Sequence, residues 1–287
     1  MIRRLLGTFV TASALAAAGF ASAQDPVFKS VLEAVRVDAL VTSGNDLIKG
    51  LTARDFEVLD NGVSQRVDLV SFEELPLNVI LAFDMSDSVA GERLEQLQRA
   101  SGALLSGLRS GDQSALITFS HEVRLAAPLS ADVDRVKSAL GDTAGSGGTS
   151  LGDGVYAGVM LGETDPGRAL VIVFSDGVDT TSWLTSEQVL DTAKRSDAVI
   201  YGVSVRSKVK PELLNELAAA TGGRLQEIER MQNLSKVFVD ILNEFRTRYL
   251  ISYTPAGVAR DGWHRLEVRV KGRRATVHAR PGYLAGS

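Results

Sequence analysis

The sequence predicts an α/β protein: a doubly wound, mostly parallel sheet covered on both faces, with a flanking β module formed by the N- and C-terminal segments. Three observations predict it. The runs 77–83, 169–174 and 198–205 are almost continuously apolar, the pattern of strands buried on both faces. Stretches with apolar residues at three- and four-residue spacing separate those runs. The two ends of the chain instead alternate apolar and polar residues, as strands with one wet face do.

The first central strand, 77–83, leads into Asp84. A helix is expected over 91–108, with Leu94, Leu97, Leu104, Leu105 and Leu108 on one side. Residues 114–120 and 123–129 read as two short strands folded about His121. A short helix over 131–140 and another over 151–161 follow, the second stopping before the breaker Asp165-Pro166-Gly167. After the strand 169–174, Thr185-Ser186-Glu187-Gln188 has the capping-box pattern that opens a helix. The strand 198–205 precedes a helix begun by Pro211 and ended by Gly222-Gly223. An edge strand is expected over 224–229. A last helix carries Leu234, Val237, Phe238, Ile241, Leu242 and Phe245 on one stripe.

In the flanks, Val35, Val37, Ala39 and Val41 fall on alternate positions. The segments 56–59 and 63–72 lie on either side of Asp60-Asn61-Gly62, a strong hairpin signal. Near the other end Leu266, Val268 and Val270 alternate with charged residues, and 275–279 is expected to return as their partner strand. Both flanks are short for independent domains. The expected organisation is therefore one β module built from 24–74 and 247–287, with 75–246 inserted as the α/β domain.

The first residues are set apart from the fold. Arg3 and Arg4 precede an apolar segment reaching Phe20, and Ala21-Ser22-Ala23 fits a small-residue cleavage pattern. Residues 1–23 read as a signal peptide. The segment is short for a membrane anchor and no stop-transfer pattern follows, so no stable membrane insertion is expected after cleavage. The expected location is exported, periplasmic or secreted. Cleavage removes two arginines and no acids, taking the net charge from −4 to −6, which disfavours nucleic acid as a partner. The chain has no cysteine, so disulfides, thiol chemistry and Cys-based zinc sites are excluded. The histidines at 121, 264 and 278 are too scattered to suggest a ligand pair.

Three short motifs carry the chemistry. Asp84-Met85-Ser86-Asp87-Ser88 ends the first buried strand, Gly147-Gly148-Thr149-Ser150 opens a helix, and Ser175-Asp176-Gly177 ends the strand 169–174. On doubly wound sheets ligands bind outside the carboxyl ends of the strands, so Asp84 and Asp176 are expected to face one crevice. Hydroxyls and carboxylates are hard oxygen ligands, suited to Mg²⁺ or another hard divalent cation such as Mn²⁺ or Ca²⁺. Each residue type also has a plainer use: Ser86 and Ser88 in turns or caps, Thr149 as a helix cap. Asp87 and Asp153 lie nearby and are expected to face solvent. Trp183 closely follows Asp176 and is a candidate for the rim of the metal face.

Taken together, the three motifs and the element order resemble von Willebrand factor A domains with a metal-ion-dependent adhesion site, over about residues 75–246. The segments 51–62 and 279–283 further resemble a secreted bacterial family built around such a domain. The resemblance implies that Asp84, Ser86, Ser88, Thr149 and Asp176 hold the metal. It also implies that the sixth position is completed by an acidic side chain of a partner protein. The implied function is metal-dependent protein–protein binding without catalysis. Two alternatives stay open: a metal-dependent phosphate-ester hydrolase on the same crevice, and an assembly module whose metal only stabilises it. Catalysis is disfavoured because the phosphate-loop, dinucleotide and hydrolase-elbow motifs are absent and no histidine is expected near any of the three motifs to act as a base.

Overall fold

The computed structural model describes residues 34–286, apart from 45, 88, 90, 142–146, 176–177 and 208–209. The expected signal peptide lies outside the described residues. The chain begins with β1 (Val35–Ser43), β2 (Asp46–Leu47), β3 (Phe56–Asp60), β4 (Val63–Gln65) and β5 (Val67–Phe72). The central region follows as β6 (Leu77–Asp84), α1 (Glu92–Leu105), β7 (Gln113–Phe119), β8 (Val123–Ser130), α2 (Val133–Gly141) and α3 (Leu151–Gly162). It continues with β9 (Arg168–Phe174), α4 (Ser186–Arg195), β10 (Val199–Val205), α5 (Glu212–Thr221), β11 (Leu225–Ile228) and α6 (Leu234–Arg246). The chain closes with β12 (Tyr249–Tyr253), β13 (Gly262–Val270), β14 (Thr276–His278) and β15 (Gly282–Ala285).

The central sheet has the order β11-β10-β9-β6-β7-β8, parallel except for β8. Every residue of β6 is buried. Its alternate side chains feed two cores. Leu77, Val79, Leu81 and Phe83 pack with α1, α2 and α6. Ile80 and Ala82 pack with α3, α4 and α5 on the opposite face. That two-sided burial explains why the strand is apolar throughout rather than alternating. The chain reverses its direction of travel across the sheet between β6 and β9, so the crevice at the switch point opens where these two strands end.

The flanks form two further sheets, one ordered β14-β1-β12-β5 with β2 beside β1, the other β15-β13-β3-β4. Strands from both ends of the chain hydrogen-bond to each other, β1 with β12 and β3 with β13. Val37, Phe56, Val58, Tyr249, Ile251 and Leu266 pack in their shared core. A polar hub sits within it. Tyr253 and Tyr283 both donate to Asp60 Oδ2 at 2.9 Å, and His264 Nδ1 lies 2.7 Å from Asp60 Oδ1. Burial pushes both tyrosine hydroxyls well above their ordinary range, so they remain donors.

Two strand expectations differ from the structure. The run 63–72 is not one strand: β4 stays with β3, and β5 crosses to pair with β12. The break is fixed by Gln65, a buried side chain that exchanges hydrogen bonds with the backbone of Ala256. Nor does 275–279 pair with β13. β14 lies on β1, and β15 takes the place beside β13. Gly282 makes that approach possible, since a Cβ there would stand 2.2 Å from the His264 carbonyl oxygen.

Buried arginines tie the flanks to the central domain. Arg168 at the start of β9 pairs with Asp38 of β1, donates to the Phe245 carbonyl at 3.2 Å, and lies over the Phe245 ring. Arg280 donates to the carbonyls of Ser196 and Lys194. Within the central domain, Arg246 of α6 reaches Asp112 at 2.7 Å. Burial alone would raise the Asp112 carboxyl, but donation from Arg246 and from the Arg109 and Leu77 amides outweighs it and holds the group below its ordinary range.

Two predictions follow from these pairs. Arg168→Met leaves Asp38 buried without its guanidinium and should cost about 3–5 kcal/mol in urea unfolding, whereas Arg168→Met with Asp38→Leu should recover most of it. Asp112 is depressed in the folded state, so its contribution is present at neutral pH and lost as pH falls below ~4. Asp112→Asn should therefore flatten the acid limb of stability measured between pH 7 and pH 3.

Candidate metal centre

The crevice at the switch point is built around one carboxylate. Asp84 ends β6 and is wholly buried. Its Oδ1 accepts from the Ser86 amide at 2.9 Å, turning the loop back over the strand end. Its Oδ2 accepts from Ser175 Oγ at 2.7 Å and from Thr149 Oγ1 at 3.4 Å. Ser86 and Thr149 are each only 6% exposed. The structure thus brings three of the expected ligands together, Asp84, Ser86 and Thr149. The other two, Ser88 and Asp176, lie outside the described residues.

Ser175 also belongs to the site, although the motif Ser175-Asp176-Gly177 points to Asp176 alone as a ligand. The signal was available: Phe83 pairs with Phe174 across the β6–β9 ladder, so the next residues, Asp84 and Ser175, fall side by side. The long apolar runs on both strands made that register readable in principle.

The loop holding Thr149 is pinned from two sides. Gly147 donates to Asp87 Oδ1 at 3.0 Å, and Ser150 donates to the Ser120 carbonyl at 2.7 Å. The Thr149 amide donates to Thr180 Oγ1, and its carbonyl accepts from the amides of Thr180 and Thr181. Thr149 does not cap α3. The N-terminal amides of that helix are met from the loop after β9 instead: Gly152 donates to Asp179 Oδ2 at 2.8 Å and Asp153 to Ser182 Oγ at 3.2 Å. The Thr149 hydroxyl is left to face Asp84. A carboxylate at this helix N-terminus is also favoured by the helix dipole.

Asp87 and Asp153 depart from the expectation that they simply face solvent. Asp87 is exposed but holds Gly147, and Asp153 accepts from the amides of Trp183 and Leu184 at 2.9 and 3.0 Å. The reading that no histidine stands near the motifs is also corrected in space. His121 abuts Gly147 so closely that a Cβ on that glycine would lie 2.5 Å from Nδ1. Gly147 further has φ +81°, a conformation that favours glycine. Trp183 stands 93% exposed on the loop that anchors α3.

The donor chemistry fits a hard divalent cation. The converging side chains offer the Asp84 carboxylate and the hydroxyls of Thr149 and Ser175, all hard oxygen donors. Among the described residues no group of three or more His, Cys, Asp or Glu could hold a metal ion.

These features coincide with the family comparison. Residues 78–239 match the von Willebrand factor type A domain, more than half of the chain, and the protein belongs to that family. Among curated relatives, inter-alpha-trypsin inhibitor heavy chain H2 of Sus scrofa is 24% identical over 196 residues, 63% of this chain and 21% of that protein. Heavy chain H4 of Sus scrofa is 32% identical over 168 residues, 54% of this chain and 18% of that protein. The match therefore spans about a fifth of those relatives' length. Solved structures share the fold at low identity. A von Willebrand factor type A protein from Catenulispora acidiphila superposes with a TM-score of 0.56 at 14% identity, over 87% of this chain and 73% of that one. Proximal thread matrix protein 1 from the mussel byssus, solved with a zinc-occupied MIDAS motif, gives 0.55 at 15% identity, over 65% of this chain and 49% of that one.

Asp179→Ala should remove the cap of α3 and one anchor of the adjoining loop, costing about 0.5–2 kcal/mol in chemical denaturation.

Proposed function

We propose that the protein binds another protein through a divalent cation held by Asp84, Ser86, Ser88, Thr149 and Asp176, with an acidic side chain of the partner completing the ion's coordination. The observation that carries this reading is the meeting of Ser86, Thr149 and Ser175 on the buried Asp84 carboxylate at the switch point. The mussel protein's zinc-occupied MIDAS motif supports it by analogy of fold. Mg²⁺ suits the set best, because it keeps open positions rather than demanding an all-protein cage. When bound, the ion supplies positive charge to which a carboxylate is attracted. The protein's own side chains hold the site in shape: Ser175 orients Asp84, and Thr180 and Thr181 hold the Thr149 loop.

In the same reading residues 1–23 direct export, and 24–74 with 247–287 form one β module that carries the inserted domain 75–246. Pairing of β1 with β12 and of β3 with β13 supports that division. No helix among the described residues is long and apolar enough to cross a membrane. Catalysis is not part of this reading. The position of His121 beside Gly147 makes phosphate-ester hydrolysis the second reading to test.

Calorimetric titration with Mg²⁺ and Mn²⁺ should give a saturable heat that Asp84→Asn and Thr149→Val abolish or weaken. At a free ion concentration 100 times the dissociation constant, the wild type should gain ~2.7 kcal/mol of stability and Asp84→Asn none. Proteins captured from the cell envelope with Mg²⁺ should be released by chelator. A capture set indifferent to chelation sinks the proposal, and Mg²⁺-dependent turnover of p-nitrophenyl phosphate lost in Asp84→Asn would replace it with the hydrolase.

A further inference from the structure

One buried hydroxyl near the candidate metal centre has no visible work. Ser204 lies near the end of β10, only 2% exposed, and its Oγ has no hydrogen-bond partner among the described residues. Buried polar atoms are nearly always paired, so an orphan needs a physical reason.

The ladder between β9 and β10 sets its position. Phe174 pairs with Val203, and the Ser175 amide donates to the Val203 carbonyl at 3.2 Å, so the next residues, Ser175 and Ser204, fall side by side. They also share a face. Phe83, Phe174 and Val203 point into the core under α1, α2 and α6, whereas Ala82, Val173 and Ile200 point to the layer of α3, α4 and α5. Side chains alternate along a strand, which puts Asp84, Ser175 and Ser204 together on the second face. Three polar side chains thus stand in one row across the ends of β6, β9 and β10. Neighbouring strands lie ~4.8 Å apart, so rotation about χ1 brings one serine oxygen within hydrogen-bond reach of the other.

The use for such a neighbour lies on Asp84. Its Oδ2 accepts two hydroxyls, from Ser175 and Thr149. A cation drawing on that carboxylate weakens its hold on both donors. Thr149 is a candidate ligand and can turn its oxygen to the ion. Ser175 is not one, and its proton is better placed away from the positive charge. We propose that Ser204 is a positioning residue of the metal centre, accepting the Ser175 hydroxyl when an ion engages Asp84. This rests on the metal-dependent binding reading and adds a fixed place for the proton that the ion displaces.

The test combines calorimetric titration with Mg²⁺ and urea unfolding of the chelator-treated protein. Ser204→Ala should weaken Mg²⁺ binding about 5-fold, the worth of one ordinary hydrogen bond. The removed hydroxyl has no partner among the described residues, so the urea midpoint should not fall. Ser204→Thr keeps the hydroxyl and should retain most of the wild-type affinity. In a Ser175→Ala background the further change Ser204→Ala should cost nothing more, because both serines act through one bond. Three results overturn the proposal and leave the metal reading standing: unchanged Mg²⁺ affinity in Ser204→Ala, a loss that adds in full to that of Ser175→Ala, or a loss matched by a lower urea midpoint. A wild type that gives no saturable Mg²⁺ heat removes the metal reading and this proposal with it.

Discussion

A carboxylate with no solvent exposure has to be compensated where it stands, and Asp84 is that carboxylate. Stripping its hydration would cost several kcal/mol without strong donors. Its donors come from three separate places: the amide of Ser86 in its own loop, the hydroxyl of Ser175 on the neighbouring strand, and the hydroxyl of Thr149 from the start of α3. Ser175 reaches it because β9 lies directly beside β6. That adjacency belongs to the reversal of strand order, which in turn depends on two helical layers burying both faces of β6. Core packing and site geometry are therefore one constraint seen at two distances.

The same economy governs the loops. Thr149 exchanges backbone and side-chain hydrogen bonds with Thr180 and Thr181, while Asp179 and Ser182 hold the first amides of α3. The Thr149 segment, the start of α3 and residues 179–182 are thus joined by one set of hydrogen bonds. At the other end of the sheet, Arg168 and Arg280 join the flanking strands to the central domain through buried carboxylate and carbonyl acceptors. Arginine suits that seam because one planar group satisfies several acceptors at once.

Much of this was legible beforehand, for identifiable reasons. β6, β9 and β10 announce themselves because burial on both faces forces continuous apolar runs. The helix caps are equally local: Thr185 and Gln188 form the reciprocal capping box their spacing suggests. What escaped depends on distant partners. β12 carries no local signal, because Tyr249–Tyr253 becomes a strand only when β1 and β5 close on it. Asp60 reads as a hairpin residue, yet its carboxylate gathers Tyr253, Tyr283 and His264 from the far end of the chain. Asp153 and Asp179 look like surface acids until the loop after β9 is folded over α3. His121 is distant from Gly147 in sequence and adjacent in space.

The choice of oxygen donors separates two roles for an ion at this crevice. A cage dominated by carboxylates neutralises a divalent cation and turns it into a structural cross-link. In the proposed set three of the five ligands, Ser86, Ser88 and Thr149, are neutral hydroxyls, so an ion held there would keep more of its charge available to an approaching anion.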